Sequence, residues 1–507
     1  MTFATARPKR RLAAILALLA SLLACSAPSP TLPPMPEGGS GYTAKPGWQA
    51  RHFAVAAANP LATEAGYQIL KAGGTAVDAA VAVQMVLTLV EPQSSGIGGG
   101  AFLLHWDGRV LQAWDGRETA PAAADERLFL GADGKPVEFM QAVVGGRAVG
   151  VPGTVKMLEA AHRAQGALPW ARLIQPAIDL AEQGFALSPR MHTLLKSSPS
   201  LRQDPQAAAY FFRPDGQPHP VGHRLRNPAL VEVLRRIAAQ GSAAFYQGPV
   251  AADIAARVQR HASNPGRLTT ADLAAYSVKQ REPICTGWLQ HYRVCGMPPP
   301  SSGHLAVMQI LGTLAALPAE APALADGLPS ADWLHAYTEA ARLAFADRDL
   351  YLADPDFVAP PAGRWDSLLA PAYLRERAAL IGPRSLPRAP AGQPSAQRSA
   401  WAPQAEQPEH GTSHISIVDA QGRGLAMTTT IEAVWGAHLM SDGGTGLAGG
   451  FLLNNELTDF SMTPSDAQGR PVANRGRSAV PGRRRPSSPS MAPATSVSSM
   501  RRAGAWP

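Results

Sequence analysis

The chain has 507 residues, of which 46% are hydrophobic and 17% are charged, and its formal net charge is +8. This length exceeds one ordinary core, so we expect two domains or one large layered domain of globular rather than disordered composition. The positive charge lies at the two ends, with four basic residues among the first eleven and eight arginines against one acid after Ser461. The body between them is slightly acidic, and the tail lacks aromatic interleaving and a recognition helix, so nucleic-acid binding is not indicated.

Residues 1–24 have the pattern of an export signal, because a basic stretch precedes an apolar run that is too short to span a membrane. The order Leu22-Leu23-Ala24-Cys25 resembles a bacterial lipobox, which implies cleavage before Cys25 and lipidation of its sulfur. The alternative is an ordinary secretory signal with an incidental cysteine. We expect a lipoprotein anchored in the periplasm or on the outer membrane, with residues 25–48 as a flexible tether.

Two further cysteines, Cys285 and Cys295, bracket a segment with strand propensity. They could face each other across a hairpin and pair in an oxidising compartment. A two-cysteine metal site lacks partner ligands of suitable spacing, so no metal is expected there.

The segment before residue 104 predicts two strands and two helices. Ala54 to Ala58 is a short apolar strand, and Asn59-Pro60 begins a helix that ends at Gly73-Gly74. Residues 76–90 form a second helix, so apolar that only a buried helix explains it. Four glycines in residues 96–100 allow close backbone approach and could cradle an anion before the second strand begins.

The middle of the chain is mainly helical. Arg117 ends a predicted hairpin, where its planar fork could clamp a carboxylate; the alternative is a surface ion pair with Glu118. Helical periodicity dominates residues 152–357, including one long amphipathic helix over residues 331–351. Residues 380–410 are rich in proline, alanine and glutamine and predict an exposed linker.

Gly411-Thr412 stands directly after this linker and at the head of an alternating apolar and polar run. A threonine hydroxyl is a poor nucleophile without a base, and cutting the preceding peptide bond makes its own amino group available. Glycine tolerates the strained backbone that such a cut requires. The alternative is a simple strand start.

Eight motifs occur together in one order between about residues 50 and 461, and together they resemble the gamma-glutamyltranspeptidase family. The motifs are Pro60-Leu61-Ala62-Thr63, Gly73-Gly74-Thr75-Ala76-Val77-Asp78-Ala79-Ala80, Glu91-Pro92-Gln93-Ser94-Ser95-Gly96-Ile97-Gly98-Gly99-Gly100, Asp115-Gly116-Arg117-Glu118-Thr119-Ala120-Pro121, Gly150-Val151-Pro152-Gly153-Thr154, Pro298-Pro299-Pro300-Ser301-Ser302-Gly303, Gly411-Thr412-Ser413-His414 and Leu453-Asn454-Asn455-Glu456.

The resemblance implies an α+β fold of the N-terminal-nucleophile hydrolase type, with two stacked antiparallel sheets between helix layers. It implies a proenzyme that cuts itself before Thr412, so that residues 49–411 become a large subunit and residues 412–507 a small one, the two forming a heterodimer. Thr412 would attack the gamma-glutamyl amide of glutathione or a similar compound, and the acyl group would pass to water, an amino acid or a peptide. No metal or organic cofactor is implied.

The resemblance also assigns roles to individual residues. Arg117 would bind the substrate α-carboxylate, and Thr430 would orient the nucleophile. Glu456 and Asp459 would bind the α-ammonium group, and Glu432 falls where some members carry an amide. Ser413 replaces a more usual threonine.

The resemblance weakens after residue 482. The family continues into a serine-rich segment that contacts the substrate carboxylate, for which Ser488 and Ser490 are the candidates here, and then into a glycine pair that forms the oxyanion hole. No such pair follows in this chain. The small subunit would be roughly half of what the fold requires, so the sequence predicts a truncated or out-of-frame end after about Arg485.

Two rival hypotheses remain open. The same scaffold serves acylases that remove a dicarboxylic (glutaryl-type) acyl group from a beta-lactam nucleus; their substrates lack the α-ammonium, so Glu456 and Asp459 favour gamma-glutamyl compounds. The second rival is a truncated, inactive, lipid-anchored pseudoenzyme that keeps a ligand pocket without turnover.

Overall fold

The computed structural model describes most of the chain, namely residues 49–318, 323–325, 327–395, 399, 401–405 and 411–474. The predicted signal segment and tether, with Cys25, lie outside the described residues, as do Ser488 and Ser490. Every described residue belongs to one compact unit. No described helix is both long enough and apolar enough to cross a bilayer.

Fourteen strands, fourteen α-helices and four short 3-10 helices are found in the described residues. The strands are β1 Ala54–Ala56, β2 Gly100–Trp106, β3 Leu111–Gly116, β4 Phe185–Ala186, β5 Arg224–Leu225, β6 Lys279–Arg281, β7 Ile284–Trp288, β8 Tyr292–Gly296, β9 Leu324–Ala325, β10 Leu328–Pro329, β11 Ser413–Val418, β12 Gly424–Thr430, β13 Met440–Ser441 and β14 Phe451–Leu452. The helices are α1 Pro60–Lys71, α2 Ala76–Val90, α3 Phe139–Val143, α4 Thr154–Gln165, α5 Trp170–Gln183, α6 Pro189–Lys196, α7 Pro205–Phe211, α8 Pro228–Gln240, α9 Ala243–Tyr246, α10 Gly248–Gln259, α11 Thr270–Ala275, α12 Gly303–Ala315, α13 Ala331–Tyr351 and α14 Pro371–Ala378.

A six-stranded antiparallel sheet, in the order β1-β11-β12-β2-β3-β6, is the central layer. Its two middle strands come from opposite ends of the described chain, because β2 near residue 100 pairs along its whole length with β12 near residue 430. The other strands of the described part pair only two by two. The predicted α+β class is confirmed; a second large sheet is not among the described residues.

One face of the sheet is covered by α2, whose fifteen residues are all buried. The Thr75 side chain accepts from the Asp78 N–H while the Asp78 side chain accepts from the Thr75 N–H, a capping box that fixes where α2 begins. Alternate strand residues such as Leu103, Ile415 and Met427 join the same core as α2. The helix predicted over residues 76–90 is therefore confirmed, and so is its burial.

The opposite face is only partly covered. A small apolar cluster that includes Phe102, Ala426 and Met297 packs there. Further along the same face, Ser416 of β11 is exposed. Within the described residues, one face of the sheet is thus covered by a helix and the other face is covered only in part.

The glycine-rich loop before β2 brings two backbones unusually close. A Cβ atom at Gly98 would lie 2.1 Å from the Leu452 carbonyl oxygen, and one at Gly99 would lie 2.0 Å from that of Thr430. The place where a side chain at Gly100 would stand is taken by the Glu118 carboxylate. Close backbone approach is confirmed, and the anion cradle stays a prediction.

The β7–β8 hairpin places Cys285 directly opposite Cys295, and the two sulfurs form a disulfide. The long helix predicted over residues 331–351 is confirmed as α13. Its N-cap is Ser330, whose hydroxyl accepts from the Trp333 N–H.

We predict that Gly99→Ala destabilises the protein while Gly96→Ala does not. The added methyl of Gly99→Ala meets the Thr430 carbonyl, whereas at Gly96 the nearest atom would be 3.5 Å away, and neither glycine has a positive φ. We expect Gly99→Ala to cost about 2–3 kcal/mol, seen as a melting temperature lowered by several degrees. Equal melting temperatures for the two variants would contradict this account of the loop.

Candidate active site

Thr412 lies immediately before β11, beside the end of the neighbouring strand β12. The pairing of Ser413 with Thr429 places it next to Thr430, and the Thr412 hydroxyl donates to the Thr430 Oγ1 at 3.4 Å. The Thr430 Oγ1 also accepts from the Glu432 N–H at 2.8 Å, which fixes its position. Thr412 is half-buried and Thr430 is fully buried. The structure therefore brings the two predicted threonines together.

The turn after β12 contains three non-glycine residues in the left-handed region. The φ angles are 76° at Glu432, 71° at Trp435 and 54° at His438. Such conformations are costly for L-residues and persist where the surroundings enforce them. Here the Ala433 N–H donates to Asn455 Oδ1 at 2.9 Å, and the fully buried Trp435 donates through its backbone N–H to the Gln93 carbonyl at 3.1 Å. Backbone strain is thus concentrated next to the predicted nucleophile.

Arg117 lies just after β3 and is fully buried. Its backbone is held at both ends, since its N–H donates to Asp115 Oδ1 at 3.0 Å and its carbonyl accepts from the Tyr276 hydroxyl at 2.8 Å. Its guanidinium forms ion pairs with Glu456 and Asp459, more than 330 residues later in the chain. The predicted anion-binding and cation-binding residues are therefore in direct contact.

The acidic pair stands on a short 3-10 helix, Glu456–Asp459, that Asn454 holds in place. Asn454 Oδ1 accepts from the backbone N–H groups of Gly150 at 2.9 Å and Glu456 at 3.1 Å. Its Nδ2 donates to the carbonyls of Gly98 at 2.8 Å and Gly150 at 2.9 Å. The full hydrogen-bonding capacity of this amide is used, so a neutral side chain fixes the charged ones.

Glu118 is the residue whose position the sequence did not reveal. Its carboxylate lies 3.7 Å from Arg117 Nη1, and both side chains are fully buried, so the surface ion pair considered above is wrong. In the sequence, Arg117 and Glu118 are two adjacent charged residues, and nothing in their pattern indicates that they are buried. The glycine at position 100 was the available hint, because Glu118 occupies the space that a side chain there would fill.

The cluster holds four buried carboxyl groups around one guanidinium. Oxygens of Glu432, Glu456 and Asp459 all lie within 4.8 Å of one another. Burial raises the pKa of Glu456 and of Asp459 well above the ordinary value, although Arg117 acts in the opposite direction. Burial also acts to lower the pKa of Arg117, but the surrounding carboxylates outweigh it and the net shift is upward.

An excess of carboxylate over guanidinium favours a cationic ligand. In the described part of the chain this is the one acidic cluster compact enough for a metal ion. Arg117 already pairs with two of its three members, and a divalent ion beside a guanidinium would be repelled. A singly charged ammonium group fits this charge distribution better.

We predict that Glu118→Gln becomes more stabilising as the pH rises. Burial, opposed by Arg117, raises the pKa of Glu118 from 4.5 to about 7. Because the pKa of Glu118 is higher in the folded than in the unfolded state, the wild type is most stable at a pH below the unfolded-state pKa. It loses stability as the pH rises through the folded-state pKa of about 7. In urea unfolding, the free energy of unfolding of the variant relative to that of the wild type should increase by about 2–3 kcal/mol between pH 5 and pH 8.5.

The exposed Glu376→Gln on α14 is the matched control and should show no such gain. A pH-independent difference between Glu118→Gln and the wild type would contradict the assignment of a raised pKa to Glu118.

Comparison with known proteins agrees with this geometry. The family model described as gamma-glutamyltranspeptidase matches residues 62–501. The glutathione hydrolase proenzyme of Bacillus subtilis (strain 168) is 37% identical over 422 residues, covering 82% of this chain and 69% of that protein. The acylase ACY 1 proenzyme of Pseudomonas sp. (strain V22) is 36% identical over 419 residues, covering 81% and 70%.

Among solved structures, the cephalosporin acylase from Bacillus halodurans superposes with a TM-score of 0.72 at 28% identity, covering 88% of this chain and 76% of that one. The predicted N-terminal-nucleophile hydrolase fold is thereby confirmed. The order of motifs, the contact between Thr412 at the head of β11 and Thr430 at the end of β12, and the extent of these matches lead to one conclusion: the chain belongs to the gamma-glutamyltranspeptidase family.

Proposed function

We propose that this protein cleaves gamma-glutamyl amides such as glutathione and transfers the gamma-glutamyl group to water, an amino acid or a peptide. The observation that carries the proposal is the contact between the Thr412 and Thr430 hydroxyls, at 3.4 Å, beside a buried cluster of one guanidinium and several carboxylates. The relatives that share this scaffold include a glutathione hydrolase proenzyme.

The nucleophile would be made by cutting the Gly411-Thr412 peptide bond. Thr412 then has a free amino group, which accepts the proton of its own hydroxyl as Oγ1 attacks the gamma-carbonyl carbon. The C–N bond breaks, the proton passes to the leaving amine, and an ester on Thr412 remains. Water or an amine acceptor attacks that ester and restores the hydroxyl. Thr430, fixed by the Glu432 N–H, positions the hydroxyl throughout.

Substrate recognition would be an exchange of ion pairs. In the free protein, Arg117 is neutralised by Glu456 and Asp459. A gamma-glutamyl group brings its own α-carboxylate for the guanidinium and its own α-ammonium for the carboxylates. Arg117 and the two carboxylates that pair with it therefore each keep a group of opposite charge when substrate binds.

The acylase hypothesis is the second candidate, supported by the acylase ACY 1 relative and the cephalosporin acylase structure. A glutaryl-type acyl group has the carboxylate but lacks the ammonium. Binding it would engage Arg117 with the acyl carboxylate and bring no ammonium group to balance Glu432, Glu456 and Asp459. The charge of the site therefore favours the gamma-glutamyl substrate.

We predict that the wild type yields a fragment beginning at Thr412 and releases nitroaniline from gamma-glutamyl-p-nitroanilide. Thr412→Ala should remain a single chain and lose activity, since it has no hydroxyl, whereas Thr412→Ser should still be cut. Cleavage of glutaryl-p-nitroanilide should be at least about 100-fold slower, because that substrate leaves buried charges unpaired. Intact mass and absorbance at the nitroaniline band provide the readouts.

Ser416→Ala is the matched control, because this serine is exposed on the same strand and should affect neither readout. Equal rates on the two anilides would favour the acylase. A folded wild-type chain that stays whole and inactive would support the pseudoenzyme instead.

A further inference from the structure

A cavity away from the threonine pair is lined by three arginines. It has a volume of about 240 Å³, and Arg127, Arg147 and Arg267 reach it from three separate stretches of the chain. Leu128 and Leu130 form its apolar side. Like charges gather around one space only at a cost, so a cavity of this kind indicates an anionic ligand.

Arg147 is held in place by neutral acceptors. Its Nε donates to Asn264 Oδ1 at 2.8 Å and its Nη1 donates to the Leu128 carbonyl at 3.0 Å. Neither acceptor is charged, so the positive charge of this half-buried guanidinium is not neutralised by its hydrogen bonds. Its Nη2 has no hydrogen-bond partner within the described residues and remains available to a ligand.

The other two arginines are exposed. Arg267 donates from Nη1 to the Ala123 carbonyl at 2.6 Å and pairs with Asp125 Oδ2 at 2.9 Å. That ion pair is weak because both side chains are about half exposed. The Arg127 side chain has no hydrogen-bond or ion-pair partner in the described part of the chain. Three guanidinium groups thus line one cavity, and the Asp125 carboxylate pairs with one of them, Arg267.

The backbone beneath the cavity is built for close approach. A Cβ atom at Gly146 would lie 2.1 Å from the Val258 carbonyl, and one at Gly266 would lie 1.9 Å from the Gly146 carbonyl. The Gly146 N–H donates to the Asn264 carbonyl at 2.8 Å and the Gly266 N–H donates to the Val258 carbonyl at 2.8 Å. Arg147 and Arg267 each follow one of these glycines, so their Cα atoms are fixed near each other.

We propose that Arg127, Arg147 and Arg267 form a binding site for a small, multiply charged oxyanion of the phosphate class. Guanidinium forks bind phosphate and carboxylate in a bidentate manner. A carboxylate offers two oxygens, whereas a phosphate offers three or four, and three arginines from different directions match the latter. The cavity is smaller than a drug-sized pocket, which fits a phosphate ion or a short phosphate ester.

This site is distinct from the proposed reaction centre in charge as well as in residues. Glu432, Glu456 and Asp459 favour a cationic group, and phosphate would be repelled there. Phosphate binding should therefore be insensitive to Thr412→Ala, which lies in the other site.

The test is isothermal titration of the full chain, in phosphate-free buffer at low salt, with inorganic phosphate, glycerol phosphate and citrate. We expect one phosphate to bind per chain. Arg127→Gln should raise the Kd for phosphate about tenfold, because it removes one charge-assisted hydrogen bond. Arg267→Gln should weaken binding similarly. Arg172→Gln, on the exposed side of α5, changes the net charge equally and should bind as the wild type does.

If glycerol phosphate binds as well as inorganic phosphate does, the site accepts a phosphate ester. If only inorganic phosphate binds, the ligand is the free ion. The proposal is overturned if phosphate gives no saturable heat, if citrate binds more tightly than either phosphate compound, or if Arg172→Gln weakens binding as much as Arg127→Gln.

Discussion

The burial of the Arg117 guanidinium is the constraint on which the rest of the site depends. A charge removed from water must be paired, or the cost exceeds what packing returns. The pairing groups are Glu456 and Asp459, which follow β14 on the far side of Thr412 in sequence. Arg117 itself is fixed through its backbone by Asp115 and Tyr276. The segments before and after Thr412 must therefore fold together to satisfy one side chain.

Two uncharged features of the chain, an asparagine amide and a pair of glycines, keep the charged side chains in position. The Asn454 amide bridges the glycine-rich loop, Gly150 and the short acidic helix with four hydrogen bonds. Gly98 and Gly99 let that loop approach the backbones of β14 and β12 more closely than any side chain would allow. Because Thr430 ends β12, the same close contact that supports the charged cluster also fixes the partner of the Thr412 hydroxyl.

Local patterns predicted the elements well and the charged contacts poorly. The helices at residues 76–90 and 331–351 follow from apolar periodicity and caps, and the structure has them with those bounds. The contact between Arg117 and its two acids could not be read from the sequence, because no local rule relates charges more than 330 residues apart. The family resemblance identified all three residues as substrate-binding, but it did not predict that they contact one another directly.

The burial of Glu118 and the strained backbone after β12 could not be predicted from the sequence either. Glu118 follows an arginine and resembles a surface ion pair until the surrounding layers enclose it. The left-handed backbone at Glu432, Trp435 and His438 is imposed by tertiary contacts, since none of these is a glycine. The roles of Cys25, Ser488 and Ser490 stay predictions.

The most direct test of the account is a calorimetric titration with L-glutamate in two buffers of different ionisation enthalpy. Burial keeps the pKa values of Glu456 and Asp459 raised, and an arriving ammonium group would lower them. The account predicts a net release of protons in the pH range where these two carboxyl groups titrate, and an affinity that rises with pH across that range. Proton uptake, or heats that do not depend on the buffer, would show that the buried carboxyl groups do not bind the ammonium.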